Sequence, residues 1–576
     1  MKTAITDSYK KFREYEGPAF YNDFEKNFAV TPELVGAKND EIYFQLVMAD
    51  KDEFAYSVGR EPFFTVQGLI DIYRIEVVLD GTDLSAECFP EDFADDDDGL
   101  RYSDILLKSC NRYCKKHQIG IVFVKINVPV AARAGKRSGK INIYTRVMTE
   151  DERLFASLPF EFDIYDYAIP QGRDRKFCLD LWQHSANIAR YHEVGLFSDE
   201  HFALLENYVK SLAELGQRAV TLVASDGPWC SQKAYNHVTG QSDLFEYAMF
   251  FAVKDKNGNF RFDFSPMKRY AELCFRHGIT EEIDVFGLIG VWQDEAMKLG
   301  SPIAEDPAAP RLRYYDEADG CYKYMRNNVE KDLYFSALMD FFKKEGWLEK
   351  LKIIADEPAD WDVYYKQKCH FEKLYPDIKY KYKTAINHVD ALKNIDHKNT
   401  DIAPFIMTIG SDGDWLRKYA AKKSSSKIYY YVCGGPKFPN TFILSNLLEC
   451  RLVPILAKHL GIDGFLRWNY TVWPKDPRRE LHYMFHSGDL NFVYPSRGGD
   501  VLYSLRYFAL KSGIVDFELL SAADGATREK CLKTLIKDGD FYSRLTDRAS
   551  EEAVSLEYAD YVGVKKILLE ELSGKI

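Results

Sequence analysis

From about residue 25 to residue 168, apolar and polar positions alternate in short runs, each closed by a polar, Gly-rich or acidic turn. The runs are "EIYFQLVMA", "FFTVQGLI", "YRIEVVLD", "GIVFVKINVPV", "KINIYTRVMT" and "SLPFEFDIYDY". A period of two is that of a strand with one buried face, and this spacing predicts a β-sandwich over residues 1–170. After "AIPQGRDRK" the pattern changes. Short, nearly continuous apolar runs now alternate with long amphipathic segments. The runs cover 176–184, 218–226, 283–292, 351–357, 381–387, 401–409, 427–435 and 464–470. Continuous apolar strands are those covered on both faces. Between them lie helical stretches such as 198–216, with Ser198 placed to cap its start and Gly216 just past its end. Residues 244–264 read as an inserted hairpin. Eight strand–helix units predict a (β/α)8 TIM barrel over 171–522, with a doubly wound open sheet as the alternative. A helical extension, 523–576, is expected to pack on the barrel.

Composition narrows the partners. The net charge of −12 argues against a nucleic-acid binder, which needs cations to neutralise phosphates. The one basic knot, "ARAGKRSGK" (132–140), reads as a hairpin turn between two strands, and its Gly spacing is too short for a phosphate loop. Eleven cysteines without a C-x-x-C pair suggest reduced, mostly buried thiols, with Cys110 and Cys114 four apart on a helix. No apolar run is long enough to insert in a membrane. With no secretory leader visible, the expectation is a cytoplasmic protein, or one secreted after its leader is removed. The run "EDFADDDDG" (91–99) is expected to be a solvated loop, not a calcium loop. His482 and His486 stand four apart, but in a loop-like context. No metal and no cofactor are expected.

In such a barrel the chemistry sits where strands end. The predicted strand ends carry Trp182, Gln183 and His184; Asp226; Trp292; Asp356 and Glu357; Asn387 and His388; Tyr431; and Trp468, Tyr470 and, just beyond, Trp473. Aromatic faces beside polar tips suit a sugar. The adjacent acids are the most pointed feature. Neighbours within a strand face opposite ways, but at a rim, with Pro358 ending the strand, both can reach one pocket. Two close carboxylates resist ionising together, which divides them into a proton donor and an anion. Sequence neighbours fit poorly on opposite sides of a scissile bond. They fit a scheme in which the substrate's own 2-acetamido group is the nucleophile.

"IIADEP", followed by "GFLRWNYTVWPKDP", "GDLNFVYPS" and "SLRYFALKSGIVDFELL", resembles the pattern of glycoside hydrolase family 123 over roughly residues 170–522. In the last motif the matching positions are Ser504, Arg506, Gly513, Asp516, Phe517, Glu518 and Leu520; Arg506, Asp516 and Glu518 among them are expected to be structural, an arginine pinned by acids bracing the rim. The resemblance implies a retaining exo-β-N-acetylgalactosaminidase acting by substrate assistance on glycans that end in a β-N-acetylhexosamine. Asp356 would steady the acetamido group, and Glu357 would be the general acid/base. Substrate contacts are expected from Trp292, Asn387, His388, Tyr431, Trp468, Tyr470, Trp473 and Asp226. The alternatives are a glycosidase using a protein carboxylate as nucleophile, Asp226 or Asp414, and a non-catalytic glycan binder.

Overall fold

A computed structural model of the protein describes every residue except 61–68, 109–110, 231–244, 389–394, 396–398, 412–415, 417, 421–425, 481–483, 541–547 and 575–576. The N-terminal region is rich in sheet. One five-stranded sheet runs in the order Lys2–Asp7, Asp40–Ala49, Ile119–Val128, Ser85–Asp95, Arg101–Leu106. A six-stranded sheet runs Val35–Lys38, Arg153–Ala168, Gly135–Val147, Asp71–Leu79, Phe54–Val58, Asn111–Cys114. The alternating apolar positions of both, among them Phe44, Leu46, Val124 and Ile126 against Ile75, Ile141, Phe160 and Phe162, make one core.

Three local expectations fail here. The basic knot does not join a hairpin, because Ile119–Val128 and Gly135–Val147 belong to different sheets and the segment crosses between them. Cys114 lies on a strand, not a helix; Cys110 is outside the described residues. The acidic run is not a solvated loop, since its first half is strand. Glu91 accepts from Gln45 Nε2 at 2.7 Å, and Asp92 pairs with Arg112 and Arg478 at 2.8 and 2.7 Å. Asp97 accepts from His486 Nδ1 at 2.8 Å. The predicted strand at 63–70 falls mostly outside the described residues. Cys114, Cys178, Cys230, Cys274, Cys450 and Cys531 are buried free thiols.

The second region is α/β. Its eight predicted strands all form, shorter than their apolar runs: β1 (Cys178–Leu181), β2 (Ala219–Val223), β3 (Glu282–Phe286), β4 (Leu351–Asp356), β5 (Tyr382–Ile386), β6 (Thr400–Pro404), β7 (Tyr429–Tyr431) and β8 (Gly464–Arg467). Strands β2 to β6 pair in chain order, and β1, β8 and β7 form a second sheet; every pair is parallel. Single parallel bridges join the sheet edges: Leu179 with Gln217 beside β2, and Ile402 with Ile428 and Phe405 with Tyr431 between β6 and β7. Helices follow most strands: α1 (Asp199–Leu215), α2 (Ser265–Arg276), α3 (Asn328–Lys344), α4 (Trp361–Leu374), α5 (Leu447–Leu460) and α6 (Leu505–Ala522). Ser198 accepts from the His201 amide at the start of α1, and Gly216 ends it in the left-handed conformation. The inserted hairpin forms as Phe251–Lys254 and Phe260–Asp263. Helices α7 (Gly525–Leu535) and α8 (Tyr558–Ser573) close the chain, and α8 packs on α6 and on the N-terminal sheets. No described helix is long and apolar enough to cross a membrane.

The motif residues of α6 make structural contacts. Ser504 caps it. Gly513 is required because a Cβ would lie 2.2 Å from the Arg451 carbonyl of α5. Asp516 binds Arg451 at 2.6 and 3.1 Å, and Glu518 accepts from the amides of Lys176 and Phe177, both at 2.8 Å, at the entry to β1. Arg506 is fully buried. It pairs with Asp104 of the N-terminal strand Arg101–Leu106 at 2.9 Å and donates to the carbonyls of Thr441, Gly488 and Asn491. An apolar seam of Ile105 and Leu107 against Ile443, Tyr494 and Leu502 surrounds that contact.

Candidate active site

β4 delivers Ile353 and Ile354 to the core and stops at Asp356. Glu357 then turns with φ +45° ahead of Pro358, a conformation rarely taken by a residue with a side chain and costing on the order of 1–3 kcal/mol. The turn has the consequence the sequence implied. Both carboxylates line one cleft of about 500 Å³, with Trp292, Gln293, Asp360, Tyr364, Gln367, Asn387 and His388 among its walls.

The two acids have different surroundings. Glu357 accepts from Asn387 Nδ2 at 2.7 Å and from the Tyr431 hydroxyl. Burial raises its carboxyl above the ordinary range, while the Tyr431 hydrogen bond, the nearby His388 and the Asn387 hydrogen bond each pull it back. Asp356 is raised further, by burial and then by the charge of Glu357, and among the described residues no side chain donates to it. Its main chain is held instead: the Trp292 indole donates to the Asp356 carbonyl at 3.1 Å. Pressed behind it is Gly290, φ +61°, where a Cβ would sit 2.9 Å from that of Ala355. The pair thus resists a double negative charge, and both carboxyls are held above the ordinary range.

Of the expected contact residues, Trp292, Asn387 and His388 line the cleft, and Tyr431 reaches it through Glu357. The others are not brought there. Tyr470 is buried, with its hydroxyl 2.7 Å from that of Ser211. Trp473 is buried against Tyr191 and Tyr208, its indole donating to the Val493 carbonyl at 2.7 Å. Trp468 is half-buried against Phe485. Asp226 is 0% exposed and saturated: Arg313 Nε at 2.8 Å, the Tyr324 hydroxyl at 3.0 Å and the Ala248 amide at 3.0 Å all donate to its carboxylate. An acid so held can neither attack nor be reached. Asp414 and His482 lie outside the described residues. Among the described residues no cluster of His, Cys, Asp or Glu could hold a metal ion.

Sequence reasoning missed Arg311. Its buried guanidinium donates to the carbonyls of Asp226, Gly227, Trp292 and Leu299 and to Gln293 Oε1 at 2.8 Å. It thereby ties the loop after β2 to the loop that brings Trp292 and Gln293 into the cleft. Four of its partners are main-chain oxygens, which leave no trace in residue type.

The fold as a whole matches a solved family 123 glycoside hydrolase from Clostridium perfringens, studied for glycolipid glycan hydrolysis, with a TM-score of 0.75 and 17% identity over 100% of both chains. A maltogenic α-amylase from Thermotoga neapolitana aligns over 60% of this chain and 76% of its own at 11% identity, but with a TM-score of 0.31, too low to carry weight. No curated protein gives a match. The catalytic domain of glycoside hydrolase family 123 matches residues 182–523, well over half of the chain and including both cleft acids. The protein therefore belongs to glycoside hydrolase family 123 and is a glycosidase.

Proposed function

We propose that the protein is a retaining exo-β-N-acetylgalactosaminidase that removes terminal β-linked N-acetylgalactosamine by substrate-assisted catalysis. In this reading residues 1–170 form a β-sandwich, 171–522 a (β/α)8 barrel whose two sheets close through the bridges beside β2 and between β6 and β7, and 523–576 a helical extension. The substrate class, glycans of the kind carried on glycolipids, comes from the Clostridium perfringens enzyme.

One observation carries the mechanism: two neighbouring acids share a cleft, and among the described residues only Glu357 is supplied with side-chain donors. The acetamido N–H of a bound sugar is the donor Asp356 lacks. Binding therefore favours the anion on Asp356 and leaves the proton to Glu357. The acetamido oxygen attacks the anomeric carbon, the bond to the leaving oxygen breaks, and Glu357 passes its proton to that oxygen. Asp356 offsets the positive charge of the oxazolinium ring. Glu357, now a base, takes a proton from water. That water adds to the anomeric carbon from the face the leaving group vacated, and the ring opens with configuration retained. The saturated Asp226 speaks against a protein nucleophile at that strand end.

The test is a panel of p-nitrophenyl β-glycosides with and without the acetamido group. The N-acetylated sugars are expected to turn over, and the 2-hydroxyl analogues to react at least about 10³-fold more slowly. Equal rates on both would refute substrate assistance.

A further inference from the structure

The loop that carries Trp292 and Gln293 into the cleft returns through Arg311 and enters a second inserted hairpin, Arg313–Asp316 paired with Cys321–Tyr324. Arg313 lies opposite Tyr324 and Tyr315 opposite Tyr322, so the strand alternation places these four side chains on one face. The other face packs inward, Tyr314 meeting Phe260 edge-on at 5.1 Å. The first face is turned to solvent, and Tyr322 is 67% exposed.

This face is not a scatter of surface rings. Tyr315 and Tyr322 meet edge to face at 5.3 Å. The Arg313 guanidinium lies 5.4 Å from the Tyr322 ring and 5.7 Å from Tyr247, which comes from the segment entering the first inserted hairpin. Arg313 is itself immobilised: the buried Asp226 takes its Nε, and the same carboxylate oxygen takes the Tyr324 hydroxyl. A single exposed ring needs no explanation. A cluster of tyrosines ordered around an arginine anchored to a buried carboxylate does, because the ordering costs side-chain entropy. The anchor also stands at the same rim as the catalytic acids. Arg311, two residues before Arg313, bonds both the Asp226 carbonyl and the cleft residues Trp292 and Gln293.

We propose that this face is the platform for the sugar on the reducing side of the cleaved bond; the proposal rests on the glycosidase reading above. The apolar C–H face of a pyranose fits on Tyr322 and Tyr315. The Tyr315 hydroxyl and the Arg313 Nη groups, which have no partner among the described residues, meet its hydroxyls. Asp226 then serves substrate binding after all, through Arg313 and not by contact.

The experiment compares kcat/KM for methyl β-N-acetylgalactosaminide, which has no ring on the leaving side, with that for a trisaccharide ending in β-linked N-acetylgalactosamine. Wild type, Tyr322→Ala and Tyr322→Phe are measured. The alanine variant is expected to lower the trisaccharide-to-methyl ratio about tenfold through KM, equivalent to ~1.4 kcal/mol, and the phenylalanine variant to stay within about twofold of wild type. A ratio in Tyr322→Ala equal to that of wild type, with both substrates cleaved, overturns the platform and leaves the glycosidase reading intact. A wild type that cleaves neither substrate overturns both.

Discussion

Two strand ends of the α/β region carry carboxylates, and they differ in what surrounds them. At the end of β2, Asp226 has no exposed surface and three donors on its two oxygens. At the end of β4, Asp356 and Glu357 share two side-chain donors, both on Glu357, and both face open space. A saturated carboxylate is a fixed anion that organises its neighbours. A carboxylate short of donors holds its proton more tightly and can exchange it with whatever enters the cleft. Residue type and position do not separate the two cases; the count of donors does.

That contrast can be broken most sharply at Glu357. Glu357→Gln keeps the shape and the Asn387 and Tyr431 contacts but has no proton to give. It is expected to lower kcat by about 10³-fold, within the 10²–10⁴ range of general acid–base loss, with sugar binding retained. Turnover within tenfold of wild type would move the proton donor elsewhere. Asp226→Asn is expected to do the reverse. Losing the charge opposite Arg313 costs stability on the order of 2 kcal/mol, while hydrolysis of the methyl glycoside by the folded protein falls far less than in Glu357→Gln. Thermal melting with specific activity at low temperature separates these effects, and a variant as stable as wild type but inert would restore Asp226 as a catalytic candidate.

The smallest effect concerns stability at Asp356. Its carboxyl is raised by burial, so above about pH 4, where the unfolded chain releases this proton, the folded state still holds it. Folding is then weakened as pH rises. Asp356→Asn should therefore melt higher than wild type at pH 7, with the gain shrinking as pH falls towards 4, even as activity is lost. An unchanged or lower melting temperature at pH 7 would mean that the carboxyl is better solvated than its surroundings indicate.

Much of this was legible in the chain. Each of the eight parallel strands was visible because a doubly covered strand is mostly apolar, its few charges pairing inside as Lys383 does with Asp180 and Asp284, and the turn at Glu357 was announced by Pro358. The strand Ser85–Asp95 was missed because its acids looked solvated, whereas Gln45 hydrogen-bonds Glu91, and Arg112 and Arg478, both distant in sequence, pair with Asp92. Tyr470 and Trp473 were misplaced for a related reason. A ring at a strand end can face a ligand or fill the space behind it, and here the Ser211 hydroxyl and the Val493 carbonyl satisfy their polar atoms inside. Arg311 was invisible because its partners are mostly carbonyls, which every residue has.

The buried Arg506 sets how this protein can be cut. Its counter-ion, Asp104, belongs to the N-terminal sheets. A chain begun at residue 171 would keep Asp356 and Glu357 and yet leave a buried guanidinium without its carboxylate, beside the bared Ile443 and Leu502. The N-terminal sheets are for that reason no detachable accessory. Trimming them should yield insoluble material.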